Sequence, residues 1–140
     1  MTAGLAARIP LLACLDPEQR RQIDALFEVR LYADRETVVW EGDAADAVFV
    51  VLSGYLKACN LGPDGRELLL SVMGPGEVVG ELSLLDGQPR SATVVALEAV
   101  KLAAIDRESF MHLVDGSSKL SMALLRVVTQ RLRNLSKRCE

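Results

Sequence analysis

Aromatic side chains are scarce in this chain: one Trp, two Tyr and three Phe among 140 residues. Proteins that hold single-stranded nucleic acid stack bases on such rings, so that class of function has little to build on. Histidine is scarcer still. With His112 alone, a multi-histidine metal enzyme or a His-dependent catalytic site has almost nothing to work with. Cysteine is limited to Cys14, Cys59 and Cys139, an odd number, widely spaced and without a Cys-x-x-Cys pair. A disulfide framework or zinc site is not expected, no cofactor or metal is implied, and a reducing cytoplasm fits. Positive charge is not in excess either. The net charge of −3 carries no general footprint for nucleic acid. Runs of about 20 apolar residues, the requirement for a membrane span, are missing, so no membrane partner is expected. The "LLAC" at Leu11 to Cys14 loosely resembles a lipoprotein cleavage site. The segment before it is too short and too weakly apolar for a signal peptide, and an apolar lead-in packed under the next helix is the simpler reading.

What is present is an ordinary globular composition, half hydrophobic and one quarter charged, and a length that buries a single core without disulfides. "CLDPEQRRQIDALF" opens with Asp16 as N-cap, Pro17 at the first helical position and Glu18 in the first turn, predicting a helix over about 16–27. The texture then changes to short β-rich runs: "VRLY", "TVVW", "AVFVVLSG", "YLKACN", "ELLLSVM", "EVVG", "SATVVALE" and "VKLAAID". Turn formers such as "GPDG", "GPG" and "DGQP" separate them. Short strands at this spacing predict a mainly β chain, an antiparallel jelly roll over about 28–105. Two helices follow, over about 106–114 with Asp106 at the cap and over about 117–138. The whole reads as one domain, 1–140.

The last helix carries two apolar stripes. Leu125, Val128, Leu132, Leu135 and Cys139 follow 3-4-3-4 spacing, a short heptad seam. Leu120, Leu124, Val127 and Arg131 form an adjacent stripe. Two stripes imply two packing partners: the chain's own barrel, and the equivalent helix of a second copy in a homodimer.

The chemistry concentrates in "VGELSLLDGQPRSAT". Gly80 allows a backbone turn without a Cβ. Glu81 follows amid apolar residues, where an unpaired carboxylate is expensive. Leu82, Ser83 and the next two leucines suit one helical turn whose first N–H groups favour an anion. Asp86-Gly87 reverses the chain, and Pro89 delivers Arg90, whose guanidinium grips phosphate with two parallel bonds. Ser91 and Ala92 are small enough for their backbone N–H groups to approach the same oxygens. An acid for a sugar hydroxyl and a base for a phosphate read together as a nucleotide clamp.

This stretch resembles the phosphate-binding cassette of cyclic-nucleotide-binding domains, with its Gly-Glu, a short helix, and Pro-Arg-small-Ala. "EGDAADAVFVVLSGYLK" is similar to the family's Gly-Asp to Ser-Gly hairpin region, and the terminal helix resembles the C-helix of catabolite-activator-type regulators. The resemblance implies cAMP or cGMP as ligand. Glu81 would bind the ribose 2′-hydroxyl and Arg90 the exocyclic phosphate oxygens. The backbones of Gly80, Leu82, Ser91 and Ala92 would line the phosphate, and the Ser91 hydroxyl would contact the phosphate or a guanine. On the C-helix, Arg131 falls where an arginine reaches the nucleotide. Leu135 and Ser136 fall where two hydroxyl residues meet adenine; Ser136 matches, while Leu135 neither donates nor accepts and belongs to the seam.

The leading expectation is a ligand-sensing regulatory domain, the N-terminal half of a transcription regulator, that moves its C-helix when nucleotide binds. No helix-turn-helix pattern occurs in these residues, so DNA would be read only by a domain following residue 140. Alternatives are the regulatory domain of a channel or kinase, and a related sensor with another ligand or none. A haem or iron–sulfur sensor is disfavoured by the cysteine and histidine content. No nucleophile–base arrangement suggests an enzyme.

Overall fold

Asp16 starts the first helix through a reciprocal cap. Its carboxylate accepts from the Gln19 N–H at 2.8 Å, and the Gln19 side chain accepts from the Asp16 N–H at 3.2 Å, which satisfies two otherwise orphaned helix donors. The computed structural model describes residues 4–139, and the side chains at positions 7, 82, 84, 138 and 139 lie outside that description. Two short 3₁₀ turns, Ala6–Arg8 and Pro10–Cys14, precede helix α1 (Pro17–Leu26). Strands β1 (Glu28–Tyr32), β2 (Thr37–Val39), β3 (Ala47–Ser53), β4 (Leu56–Leu61), β5 (Glu67–Met73) and β6 (Val78–Val79) follow. Then come helix α2 (Glu81–Asp86), strands β7 (Thr93–Ala96) and β8 (Val100–Asp106), and helices α3 (Arg107–Asp115) and α4 (Ser118–Cys139). Asp106 caps α3, its carboxylate accepting from the Ser109 N–H at 3.0 Å. That bond holds the Asp106 carboxyl below its usual range.

The strands form two four-stranded sheets in the orders β1-β8-β3-β6 and β2-β7-β4-β5, and every pairing is antiparallel. This is the expected jelly roll. Each of the eight β-rich runs became a strand, and Gly, Pro or Asp residues turn the chain between most of them, Leu97-Glu98-Ala99 between β7 and β8 being the exception.

The first sheet is covered on both faces. Side chains alternate along a strand, so Val48 and Val50 of β3, with Ala103 and Ile105 of β8, face the helices. Phe49 and Val51, with Leu102 and Ala104, face the second sheet. Burial on both sides explains why "AVFVV" and "LAAI" lack the polar alternation of a solvated strand. The helical layer contributes Leu11 and Leu12 of the second 3₁₀ turn, Ile23 of α1, Phe110 of α3, and Leu120 and Leu124 of α4. The "LLAC" segment is therefore packed lead-in. Leu120 and Leu124, almost fully buried, each contribute roughly 1.5–3 kcal/mol, which anchors the first turns of α4. Further along, Leu125, Leu132 and Leu135 are 56%, 63% and 45% exposed. The two stripes thus part over most of their length, one on the barrel and one facing outward, although Leu135 also borders the barrel's cavity. No described helix is long and apolar enough to cross a membrane.

Candidate functional site

The short strand β6 ends at Val79, and the chain turns sharply at Gly80, whose φ of +89° lies in the left-handed region. Glycine is required there twice over. Besides the backbone conformation, a Cβ at this position would overlap the Arg90 Nη1. The turn launches α2 and carries the Glu81 side chain inward, where it is 1% exposed. Gly87 closes α2 with φ +71° and donates its N–H to the Ser83 carbonyl at 3.0 Å. Ser83 is buried, and its hydroxyl donates to the Pro89 carbonyl at 3.1 Å. Its hydroxyl therefore closes the α2–Arg90 loop on itself.

Arg90 is fixed from both sides of its backbone. Its N–H donates to the Asp43 carbonyl at 2.8 Å, and its carbonyl accepts from the Gly42 N–H at 2.9 Å. The side chain, 5% exposed, crosses the Phe49 ring with the guanidinium carbon 5.7 Å from the ring centroid. It donates from Nη2 to the Ala47 carbonyl at 2.6 Å. Nε and Nη1 are buried with no partner among the described residues. Burial pulls the Arg90 guanidinium down from its ordinary pKa, against the raising influence of Asp46 and Asp43. A half-satisfied buried cation is costly, and this one is aimed at a space.

Glu81 does not pair with Arg90. Its Oε1 accepts from Arg131 Nη1, while Arg131 Nη2 donates to the Val78 carbonyl. Arg131 thus reaches from α4 to the cassette, fifty residues earlier in the chain. The other carboxylate oxygen, Oε2, is buried without a donor. Burial pushes the Glu81 carboxyl above its ordinary pKa, and the Arg131 charge works against that rise.

These groups border one cavity of about 380 Å³, within the range that encloses small organic ligands. Gly80, Glu81, Ser83, Arg90, Ser91 and Ala92 line one side. The second sheet supplies an apolar wall from Val39, Ala58, Leu70 and Val94, and α4 supplies Arg131, Asn134 and Leu135. Around this cavity stand the unpartnered Arg90 donors, the unpartnered Glu81 Oε2 and the Asn134 side-chain amide of α4. Unpartnered guanidinium donors can hold an anion, and an unpartnered carboxylate oxygen can accept from a hydroxyl.

The predicted residues therefore converge on one cavity, with two exceptions. Leu82 begins the second position of α2, but its side chain lies outside the described residues. Ser136 is exposed and is not part of the lining, whereas Asn134 and Leu135 are. Asn134 had a signal in the sequence that went unread: it follows Arg131 by three residues, which puts both on one helix face. Ser71, on the opposite wall, had none beyond being a hydroxyl in an apolar run.

Comparison with known proteins agrees with this geometry. Residues 29–117 match the family model described as the cyclic nucleotide-binding domain. A CRP-like cAMP-activated global transcriptional regulator of Mycobacterium tuberculosis is 37% identical over 97 residues, 69% of this chain and 43% of that protein. The N-terminal domain of a transcriptional regulator from Streptomyces coelicolor A3(2) superposes with a TM-score of 0.72 at 39% identity, over 97% of this chain and 95% of that one. For the Thermus thermophilus Catabolite Activator Protein the TM-score is 0.80 at 33% identity, over 93% of this chain and 61% of that one. The chain spans under half the length of the mycobacterial relative. It belongs to the cyclic nucleotide-binding domain family.

Proposed function

We propose that this chain is a sensor domain that binds cAMP and relays its presence through α4 within a transcription regulator. One observation carries the reading. Arg90 Nε and Nη1 and Glu81 Oε2 are buried, unpartnered and at the edge of a single cavity, as a clamp awaiting phosphate and ribose would be. cAMP is favoured over cGMP because the mycobacterial relative is named for activation by cAMP. Titration calorimetry with both nucleotides tests this. Saturable 1:1 binding of cAMP at micromolar or lower Kd, with cGMP weaker by about tenfold (roughly 1.4 kcal/mol), is the expected outcome. Absence of heat with either nucleotide would overturn the reading.

The relay follows from Arg131. The helix that carries it is anchored to the barrel by Leu120 and Leu124, while its second half is held to the cassette through Glu81 and the Val78 carbonyl. A ribose hydroxyl arriving at Glu81 joins this contact, so nucleotide favours the α4 position that completes it.

The outward stripe of α4 supports a homodimer. Leu125, Val128, Leu132 and Leu135 keep heptad spacing, and the three leucines are substantially exposed, as a seam for a second copy would be. DNA would be contacted by a separate domain, and the setting would be the cytoplasm, where Cys14 and Cys59 stay reduced thiols. Lysine at Leu125 and Leu132 together should convert dimer to monomer at micromolar concentration, read by light scattering on a sizing column. A wild-type monomer, or a dimer unmoved by both lysines, would place the interface elsewhere.

A further inference from the structure

Asn60 stands outside the cavity lining, yet it controls a peptide group that forms part of it. Backbone pairing between β4 and β7 ends at Cys59 and Thr93. Beyond that point the Asn60 side chain takes over: Nδ2 donates to the Ser91 carbonyl at 2.8 Å and to Glu41 Oε1 at 3.0 Å. Glu41 is itself tied to the start of β7, its N–H donating to Thr93 Oγ1 at 2.9 Å. One residue earlier, the Arg90 carbonyl is held by the Gly42 N–H. The carbonyls of two successive peptide groups, Arg90–Ser91 and Ser91–Ala92, are therefore both committed to partners in the surrounding framework.

A trans peptide is planar, with its N–H directed opposite to its C=O. Holding the Ser91 carbonyl toward Asn60 turns the Ala92 N–H the other way, and holding the Arg90 carbonyl does the same for the Ser91 N–H. Among the described residues neither N–H donates a hydrogen bond, and both residues line the cavity beside Arg90. A pair of adjacent amide donors, free and fixed in direction, beside an unsatisfied guanidinium is an anion cradle. Gly42 acts through its backbone and cannot be tested by side-chain replacement. Asn60 can. Asparagine is disfavoured in strands, so its place near the end of β4 is consistent with a task of this kind.

We propose that Asn60 is a positioning residue that fixes the Ser91–Ala92 peptide so that the Ala92 N–H points at the nucleotide phosphate. This rests on the functional reading above. Asn60→Asp keeps the shape, removes both donors and sets a carboxylate against the Ser91 carbonyl and Glu41. cAMP affinity should fall by about tenfold or more, the scale of one hydrogen bond to a charged group. Asn60→Gln, which restores the amide, should recover part of the loss. A merely structural tie between strands would not move the second readout, the backbone ¹H–¹⁵N resonance of Ala92. It should shift strongly downfield when cAMP is added to the wild-type chain, and much less in Asn60→Asp. Wild-type affinity together with a wild-type Ala92 shift in Asn60→Asp would overturn the proposal alone. Failure of the unaltered chain to bind either nucleotide would overturn the functional reading and this proposal with it.

Discussion

Replacing Arg90 by alanine should weaken cAMP binding by about 30- to several-thousand-fold. Truncating one partner of a buried, hydrogen-bonded charge pair costs roughly 2–5 kcal/mol, and each 1.4 kcal/mol or so is tenfold in Kd. The position justifies the upper part of that range. Arg90 is 5% exposed and has two donor groups that the protein leaves unused, so water cannot readily replace it at the phosphate. Calorimetry against cAMP checks the value, and affinity within threefold of wild type would remove Arg90 from the site.

The free protein should respond differently. Arg90→Met keeps most of the volume and deletes the charge. The Ala47 carbonyl then loses its Arg90 donor, a cost of about 1–3 kcal/mol. Against this stands the relief of a buried cation with unpaired Nε and Nη1, a penalty of comparable size. Thermal unfolding of the free variant should therefore lie close to wild type, while the stabilisation that cAMP confers on the wild type disappears. Binding energy and folding energy are separated at this residue, because the barrel holds Arg90 in a state that only a ligand completes.

Much of the barrel was legible because its determinants are local. Asp16 with Pro17 and Asp106 start helices through side chains three residues from the amides they cap. Gly62 and Gly65 of "GPDG" close a hairpin by a Gly65 N–H to Gly62 carbonyl bond, and similar breakers delimit most of the runs, though not β7 from β8, which Leu97-Glu98-Ala99 separates. The two stripes of α4 were separable since Leu124 and Leu125, adjacent in sequence, sit about 100° apart around a helix. One is buried and the other exposed. Residue chemistry alone made the site legible within one stretch; Arg131, which does border the cavity, was reached through the resemblance of the last helix. Glu81 and Arg90 share a loop, but the partner of Glu81 is Arg131, fifty residues away, and no spacing rule brings a helix residue to a strand end. Asn60 and Ser91, 31 residues apart, meet for the same reason: β4 and β7 pair across the second sheet. The expectation for Ser136 followed the resemblance of the last helix to the C-helix of activator-type regulators, whereas the rotation of α4 puts Asn134 at the cavity instead.

Glu81→Gln should lower cAMP affinity roughly 10- to 150-fold at neutral pH, the equivalent of about 1.5–3 kcal/mol for a hydrogen bond to a charged acceptor. It should also abolish a pH dependence that the wild type shows. Burial raises the Glu81 carboxyl above the ordinary value of 4.5. A carboxyl raised on folding favours its protonated form in the folded state. Its contribution to stability is therefore present below the unfolded pKa and is lost as pH rises through the folded one. A ribose hydroxyl donates to the ionised oxygen and favours the opposite form. Affinity must then increase as pH rises toward the raised value in the free protein, with proton release on binding, until Glu81 is ionised in the free protein as well. Calorimetry in two buffers of different ionisation enthalpy measures the released proton directly. Arg131 sets where the rise ends. Its charge works to keep Glu81 ionised, so Arg131→Ala should move the rise to higher pH and weaken binding at neutral pH. Adding Arg131→Ala to Glu81→Gln should leave the affinity flat with pH, since the titrating group is gone. A rise that persists in Glu81→Gln would assign it to another group and detach Glu81 from the sugar.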